Sequence, residues 1–388
     1  MSETKLISDY MENHHDEFVN ILKEAVLLES PTEGDKEDLK KCRDYFADLF
    51  SRIGFTCTVV PSNDPRFGDH LLMEYGEGNE QVLFVGHYDT AHPKGSFDNL
   101  WRVEGTKAFG PGALDMKGGN VQVYMVAKAL IDLGLLPEGK KIVFFLSSDE
   151  EAGSCTSSFH FADHAKKSRA AFVMESGMGD YVGGLKNGRF GRGNYTFVAQ
   201  GKAAHSGLEP YRAESGLIEL SKQAVALEAL TDYDKVVTVA CTCLTSGNAG
   251  WPTVPGDGSL TIDARYSTLE LAQEYDAKFT QLTSFNPNVK IRTIGGIEKP
   301  PYDSHAPHNL ALYNKAVAVG KELGIDMIGK VVMSGSDGNF TSAVGCPTLD
   351  GMGMTGDFVH QPGEYINLDQ VAIRGTFVAR MVLDVLRE

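Results

Sequence analysis

Apolar positions along this chain follow two periods. In residues 8–29 and just before them, Ile7, Met11, Phe18, Ile21, Leu22 and Ala25 recur at helical spacing, which predicts one amphipathic helix; residues 36–52 predict a second. Short apolar runs then take over. Strands are expected near 55–60, 70–75 and 82–86, and Val82-Leu83-Phe84-Val85 has the length and composition of a strand buried on both faces of a parallel sheet. A helix is expected over 117–133, stopped by Gly134 and Pro137. A strand at 142–146, a helix near 155–166 and a strand at 171–174 continue the alternation, the pattern of an α/β sheet flanked by helices.

The texture changes at Gly188-Arg-Phe-Gly-Arg-Gly193. Beyond it the pattern predicts a strand at 195–200, a helix over 209–230, strands at 236–244 and 259–266, a helix over 269–282 and a strand at 289–294. That order, β-α-β-β-α-β, is the order of a ferredoxin-like unit. Pro300-Pro301 reads as the exit linker. A helix near 309–323, the Gly-rich Met333-Ser-Gly-Ser-Asp-Gly338, a strand near 347–350 and a last helix from about 367 return to the first pattern. The expectation is a discontinuous larger domain, 1–189 with 301–388, carrying an inserted domain, 190–300, and a mixed, mostly parallel sheet in the larger one.

The buried runs end in chemistry. Val82–Val85 leads to Gly86 and His87-x-Asp89, whose side chains point the same way from an extended chain. The run 142–146 leads to Ser-Ser-Asp-Glu150-Glu151, and 171–174 leads to Glu175. A Gly-rich turn between the first two carries Asp115. In open α/β sheets the carboxyl ends of strands are where ligands bind. Acids so crowded must be neutralised, protonated or metal-bound, and a metal site is the economical explanation. The adjacent pair Glu150-Glu151 can diverge, one acid to a metal and one to a water, the division that a metallohydrolase needs. Asp89 suits a supporting role, holding the His87 ring through its other nitrogen.

Charge and composition narrow the field. A formal net charge of −16 argues against nucleic acid or an anionic membrane surface as partner. No apolar run approaches the roughly 18 residues of a membrane span, and the N-terminus lacks a basic start and apolar core, so a cytoplasmic protein is expected. Six scattered cysteines without a C-x-x-C read as free thiols. Cys241 and Cys243 are expected on one face of a strand. His160 and His164 have i, i+4 spacing, but Phe161 stands where the H-E-x-x-H pattern needs Glu, so they read as a surface pair. His14-His15, His70, His92, His305 and His308 show no ligand-like company. Neither Gly-rich turn has phosphate-loop spacing.

Taken together, GHYDT, GALDMKGG, SSDEEAGS, MESG, GKAAHSG, SGSDGNF and the late His360 resemble the cocatalytic dizinc peptidases of metallopeptidase family 20, in order as well as in residue type, from about residue 70 to 366. Glu175 with SDGNF and PTLDGMG is most similar to the glutamate carboxypeptidase branch. The resemblance implies two Zn²⁺ per chain, with Co²⁺ or Mn²⁺ as alternatives. It implies one metal held by His87 and Glu175 and the other by Glu151 and His360. Asp115 would bridge them in a turn that carries a cis peptide in relatives. Asp89 would orient His87, and Glu150 would be general base to the attacking water. The inserted domain resembles a lid and dimerisation domain, with His205 as a transition-state histidine supplied to the partner's site. Arg265 and the backbone of Gly335 match positions that bind a substrate carboxylate. The implied activity is hydrolysis of an amide or peptide bond next to a free C-terminal carboxylate. The substrate would be a small peptide or N-acyl amino acid; a deacylase or dipeptidase is the alternative, and an inactive binding protein is the reading of another class. One departure is that relatives often have Asn shortly before a Val/Ile-Pro in the lid, where this chain has Gly250-Trp-Pro-Thr-Val-Pro255.

Overall fold

The computed structural model describes residues 2–248 and 250–388, and these divide into two compact units. Of the described residues, the first takes those within 2–188, 304–332 and 336–388, and the second takes those within 189–303 and 333–335.

The first unit is built on a six-stranded sheet in the order Thr56–Val60, His70–Tyr75, Lys140–Ser147, Glu80–His87, Ser168–Val173, Thr348–Leu349. Glu80–His87 pairs in parallel with Lys140–Ser147 on one side and Ser168–Val173 on the other. His70–Tyr75 runs antiparallel to both of its neighbours, so the sheet is mixed and mostly parallel. Alternation along the strands builds two cores. Val82, Phe84, Ile142, Phe144 and Phe172 join the larger one, while Leu83, Val85, Val143, Phe145 and Val173 join the smaller one on the opposite face. Helix Gly118–Asp132 links Glu80–His87 to one neighbouring strand; Ser158–Ala165 then precedes the strand on the other side. The chain thus switches direction beside the carboxyl end of Glu80–His87, the kind of point where α/β sheets open a ligand crevice.

The second unit has a four-stranded antiparallel sheet in the order Val237–Ser246, Asp257–Tyr266, Gly191–Gln200, Lys290–Lys299, with helices Gly216–Glu228 and Leu269–Thr280. Tyr195, Phe197, Ala199, Leu260, Ile262, Tyr266, Tyr275 and Phe279 form its own core. The chain order is β-α-β-β-α-β.

Several local expectations differ from the structure. The first helix is two, Glu3–Asn13 and His15–Leu27, broken at His14, whose ring Nδ1 lies 2.8 Å from the Tyr10 carbonyl and stacks on the Tyr10 ring. The helix expected over 209–230 is shorter, Gly216–Glu228, because Ser215 caps it by accepting from the Ile218 amide, after a separate turn at Pro210–Arg212. The strand expected at 289–294 runs on to Lys299 through Gly295, where a Cβ would meet the Asn194 carbonyl oxygen at 2.1 Å. Cys241 and Cys243 do not share a face. A β-bulge places Cys241 opposite Ile262 and Cys243 opposite Thr261, so Cys241 packs towards the core and Cys243 is exposed. His160 and His164 are half-buried rather than on the surface, packed on Phe145 at 5.3 and 5.7 Å between ring centroids. A small sheet of Arg102–Glu104, Lys107–Phe109, Tyr365–Asn367 and Gly356–Asp357 had no counterpart in the hydrophobic pattern.

Candidate metal centre

Three adjacent strands deliver the site. His87 ends the central strand, Glu150 and Glu151 follow Lys140–Ser147, and Glu175 follows Ser168–Val173. The turn 113–117 adds Asp115, joined to Met116 by a cis peptide bond. Gly119 allows the helix after that turn to approach closely, since a Cβ there would meet the Met174 carbonyl oxygen at 2.0 Å.

Asp115 lies at the centre. Its Oδ1 is 3.1 Å from His87 Nε2, and its Oδ2 is 3.2 Å from His360 Nε2. Glu175 Oε1 is 3.5 Å from His87 Nε2, and Glu151 Oε2 is 3.1 Å from His360 Nε2. Glu150 groups with His87 and Glu175, with donor atoms within 4.8 Å of one another; Glu151 groups in the same way with His87 and Asp115. These spacings test the fit of a metal directly. Donors placed tetrahedrally about 2.0–2.2 Å from Zn²⁺ stand about 3.3–3.6 Å apart. The imidazole and carboxylate pairs have close to that separation, and the donor set of two imidazoles and several carboxylates suits a divalent cation. The residues present therefore fit the group.

The electrostatics record the crowding. Burial and then the charge of Asp115 push the Glu151 carboxyl up to about 8. Hydrogen bonds to Asp115 and Glu151 raise the His360 imidazole to about 11. Burial opposes charge on His87, yet Asp115, Asp89 and Glu175 raise it well above its ordinary value. Burial would likewise raise Asp115, but the two imidazoles hold it below the usual carboxylate range.

Asp89 supports the site in two ways. His87 Nδ1 is 2.8 Å from the Asp89 carbonyl and 3.4 Å from its Oδ1, so the main chain makes the shorter contact to the ring. The fully buried carboxylate accepts from the Glu150 and Glu151 amides at 3.3 and 3.2 Å and from the Thr32 hydroxyl at 2.7 Å. It thereby fixes the turn that aims the two glutamates. His360, half-exposed on a loop and with φ of 62°, is brought to the cluster by long-range folding alone.

The remaining candidates lie in the second unit. His205 Nδ1 accepts from the Gly207 and Leu208 amides, both at 3.1 Å, which makes Nε2 the N–H of the neutral ring. His205 pairs with Thr253 in a short ladder, and the Pro252 carbonyl accepts from Ser206. Arg265 makes a two-pronged pair with Asp263 at 2.7 and 3.2 Å, and Arg192 donates to the same carboxylate. The Gly335 carbonyl accepts from Arg189 at 3.0 Å.

Sequence reasoning missed four supports in the first unit. Glu364, buried and only four residues beyond His360, accepts from the Leu114 and Asp115 amides, and His92 meets its other oxygen. Asp337 accepts from Ser147 and Ser154. His70, fully buried, accepts from the Ser148 amide. Their partners are remote in sequence, so no local pattern marks them.

A profile of Peptidase family M20/M25/M40 matches residues 83–384. Carboxypeptidase G2 of Pseudomonas sp. (strain RS-16) is 27% identical over 376 residues, covering 94% of this chain and 88% of that protein. A succinyl-diaminopimelate desuccinylase of Methylobacterium radiotolerans is 23% identical over 401 residues, covering 96% of this chain and 98% of that one. The fold matches that of the Bacillus subtilis YXEP protein, a dinuclear metal binding peptidase, with TM-score 0.73, 13% identity and coverage of 97% and 99%. No helix among the described residues is long and apolar enough to cross a membrane. The chain therefore belongs to peptidase family M20/M25/M40 and is an enzyme of the metallo-peptidase and amidohydrolase kind.

Proposed function

We propose that the protein is a zinc-dependent exopeptidase, similar to glutamate carboxypeptidase, cleaving an amide or peptide bond beside a free C-terminal carboxylate. The observation that carries this reading is the divergence of two neighbours: Glu150 groups with His87 and Glu175, Glu151 with His87 and Asp115. In this reading His87 and Glu175 would hold one metal and Glu151 and His360 the other, with Asp115 serving both. When bound, such a pair would polarise the scissile carbonyl and acidify water at the site.

The chain supplies the rest. Glu150 takes the proton of the attacking water on a carboxylate oxygen and returns it to the leaving amine nitrogen. The Asp89 carboxylate, on the amides of both glutamates, keeps Glu150 and Glu151 apart in aim. His205, with Nε2–H turned away from its own turn, donates to the developing oxyanion. Arg265 and the Gly335 backbone take the substrate carboxylate; Arg265 would then exchange or share its contact with Asp263. The second unit acts as the dimer contact, with Leu208, Tyr211, Ile218, Val225 and Trp251 exposed on it in the single chain.

Resemblance to the desuccinylase favours a second reading, hydrolysis of an N-acyl amino acid. The test is a substrate panel of dipeptides, N-acyl glutamates, other N-acyl amino acids and the same compounds amidated at the C-terminus. Turnover restricted to free carboxylates, and reduced mainly through KM in Arg265→Ala, supports the proposal. Equal turnover of free and amidated substrates overturns the carboxylate requirement and leaves Arg265 as a structural partner of Asp263.

A further inference from the structure

Glu364 is a carboxylate with no solvent exposure, and its two oxygens reach two separate segments of the chain. Its Oε1 accepts from the Leu114 amide at 2.7 Å and the Asp115 amide at 3.0 Å. Its Oε2 meets His92 Nε2 at 2.6 Å. Its own carbonyl accepts from the Gly110 amide at 3.2 Å. The same loop presents His360, four residues earlier. His92 belongs to the loop that begins with Asp89 and whose Ala91 amide donates to Glu151 Oε1 at 3.1 Å. The His92 ring is buried and stands edge-on to Phe97, with centroids 4.9 Å apart. One side chain therefore joins the turn of Asp115, the loop of His360 and the loop behind Glu151.

Consider what fixes Asp115. Its two oxygens must face His87 and His360 at once, 3.1 and 3.2 Å away, so a small rotation of its backbone would improve one contact at the cost of the other. An amide held at 3.0 Å by a buried carboxylate sets the Cα–Cβ direction from which those oxygens hang. We propose that Glu364, oriented by His92, is a positioning residue that holds Asp115 in its bridging attitude, so that the affinity of the chain for its metal pair depends on the Glu364–His92 contact. The inference rests on the dinuclear reading given above. Outer partners of ligands commonly change metal affinity 10- to 100-fold.

The test strips the purified protein of metal and titrates it calorimetrically with Zn²⁺, alongside thermal unfolding. Glu364→Gln should weaken Zn²⁺ binding by about 10- to 100-fold, with kcat falling and KM little changed. His92→Ala should weaken it in the same direction, and His92→Gln, whose amide can still donate to Oε2, should restore it. Glu219→Gln is the control: Glu219 is also buried and accepts the Phe285 and Asn286 amides, in the other unit, so it should lower the melting temperature and leave Zn²⁺ affinity unchanged. Wild-type Zn²⁺ affinity in Glu364→Gln and His92→Ala overturns the inference, whatever happens to their melting temperatures. If Glu364→Gln does not fold, the His92 pair decides alone: loss in Ala with rescue in Gln supports it, and equal binding in both rejects it. Failure of the wild type itself to bind Zn²⁺ rejects the dinuclear reading instead.

Discussion

Asp115 turns Oδ2 to His360 and keeps Oδ1 for His87, so one carboxylate stands between two imidazoles that come from opposite parts of the chain. Each imidazole has a second carboxylate of its own, Glu175 for His87 and Glu151 for His360. The arrangement has a near-symmetry that a single-ion site does not need. Two cations held there would each find an imidazole, a second carboxylate and a share of Asp115.

The roles of the neighbouring glutamates can be separated. Glu150→Gln should retain metal and fold while kcat falls about 10²- to 10⁴-fold. Glu151→Gln should lose metal. Metal analysis with steady-state kinetics on both variants checks this, and the opposite pairing of effects would show the roles exchanged.

Asp89→Ala removes the acceptor of two amides and the Thr32 hydroxyl in a fully buried place. A buried donor left unpaired costs about 1–3 kcal/mol, so the variant should lose at least about 2 kcal/mol in denaturant unfolding. Stability equal to wild type would mean that the carboxylate does not hold the Glu150–Glu151 turn.

His70 predicts a pH effect with a definite sign. Burial lowers its imidazole below the ordinary 6.5, with Asp149 pulling the other way. Its Nδ1 accepts from the Ser148 amide at 3.2 Å, a bond that the protonated ring cannot accept. The folded state therefore binds fewer protons here than the unfolded state, and stability falls as pH drops from about 6.5 towards the lowered folded value. His70→Gln should lose less stability than wild type between about pH 7.5 and 5.5. Parallel losses in urea unfolding would remove His70 as a contributor.

What was legible in the sequence was whatever depends on short-range pattern. Val82–Val85, 142–146 and 171–173 lie in buried strands, and the ends of those strands lead to His87, Glu150, Glu151 and Glu175 because a parallel strand must deliver its next residues to the same edge as its neighbours. His360 is different: nothing local distinguishes a histidine in a Gly- and Pro-containing loop, and only the family resemblance singles it out. Glu364 and His92 escaped because a buried acid in a loop shows itself only through partners far away in sequence. The break at His14 and the bulge beside Cys241 escaped because each depends on one side chain or one extra residue, which periodicity averages away.

The proposed dimer can be tested by complementation. If His205 serves the partner's site, His205→Ala and Glu150→Ala homodimers should both be nearly inactive. In a mixed dimer one site then has both residues and the other has neither. With half of the dimers mixed after subunit exchange, activity should recover to about a quarter of wild type. No recovery, with exchange verified by differently tagged chains, would return His205 to its own chain or to no catalytic role.

The central claim is a dinuclear centre, and stepwise reconstitution tests it most directly. Protein freed of metal by a chelator is titrated with Zn²⁺ while bound metal and hydrolysis of the preferred substrate are followed together. The account predicts saturation at about two ions per chain, with hydrolysis absent before metal is added and restored as the sites fill. Full hydrolysis by the metal-free protein, or a chain that saturates with no tightly bound ion, would contradict it.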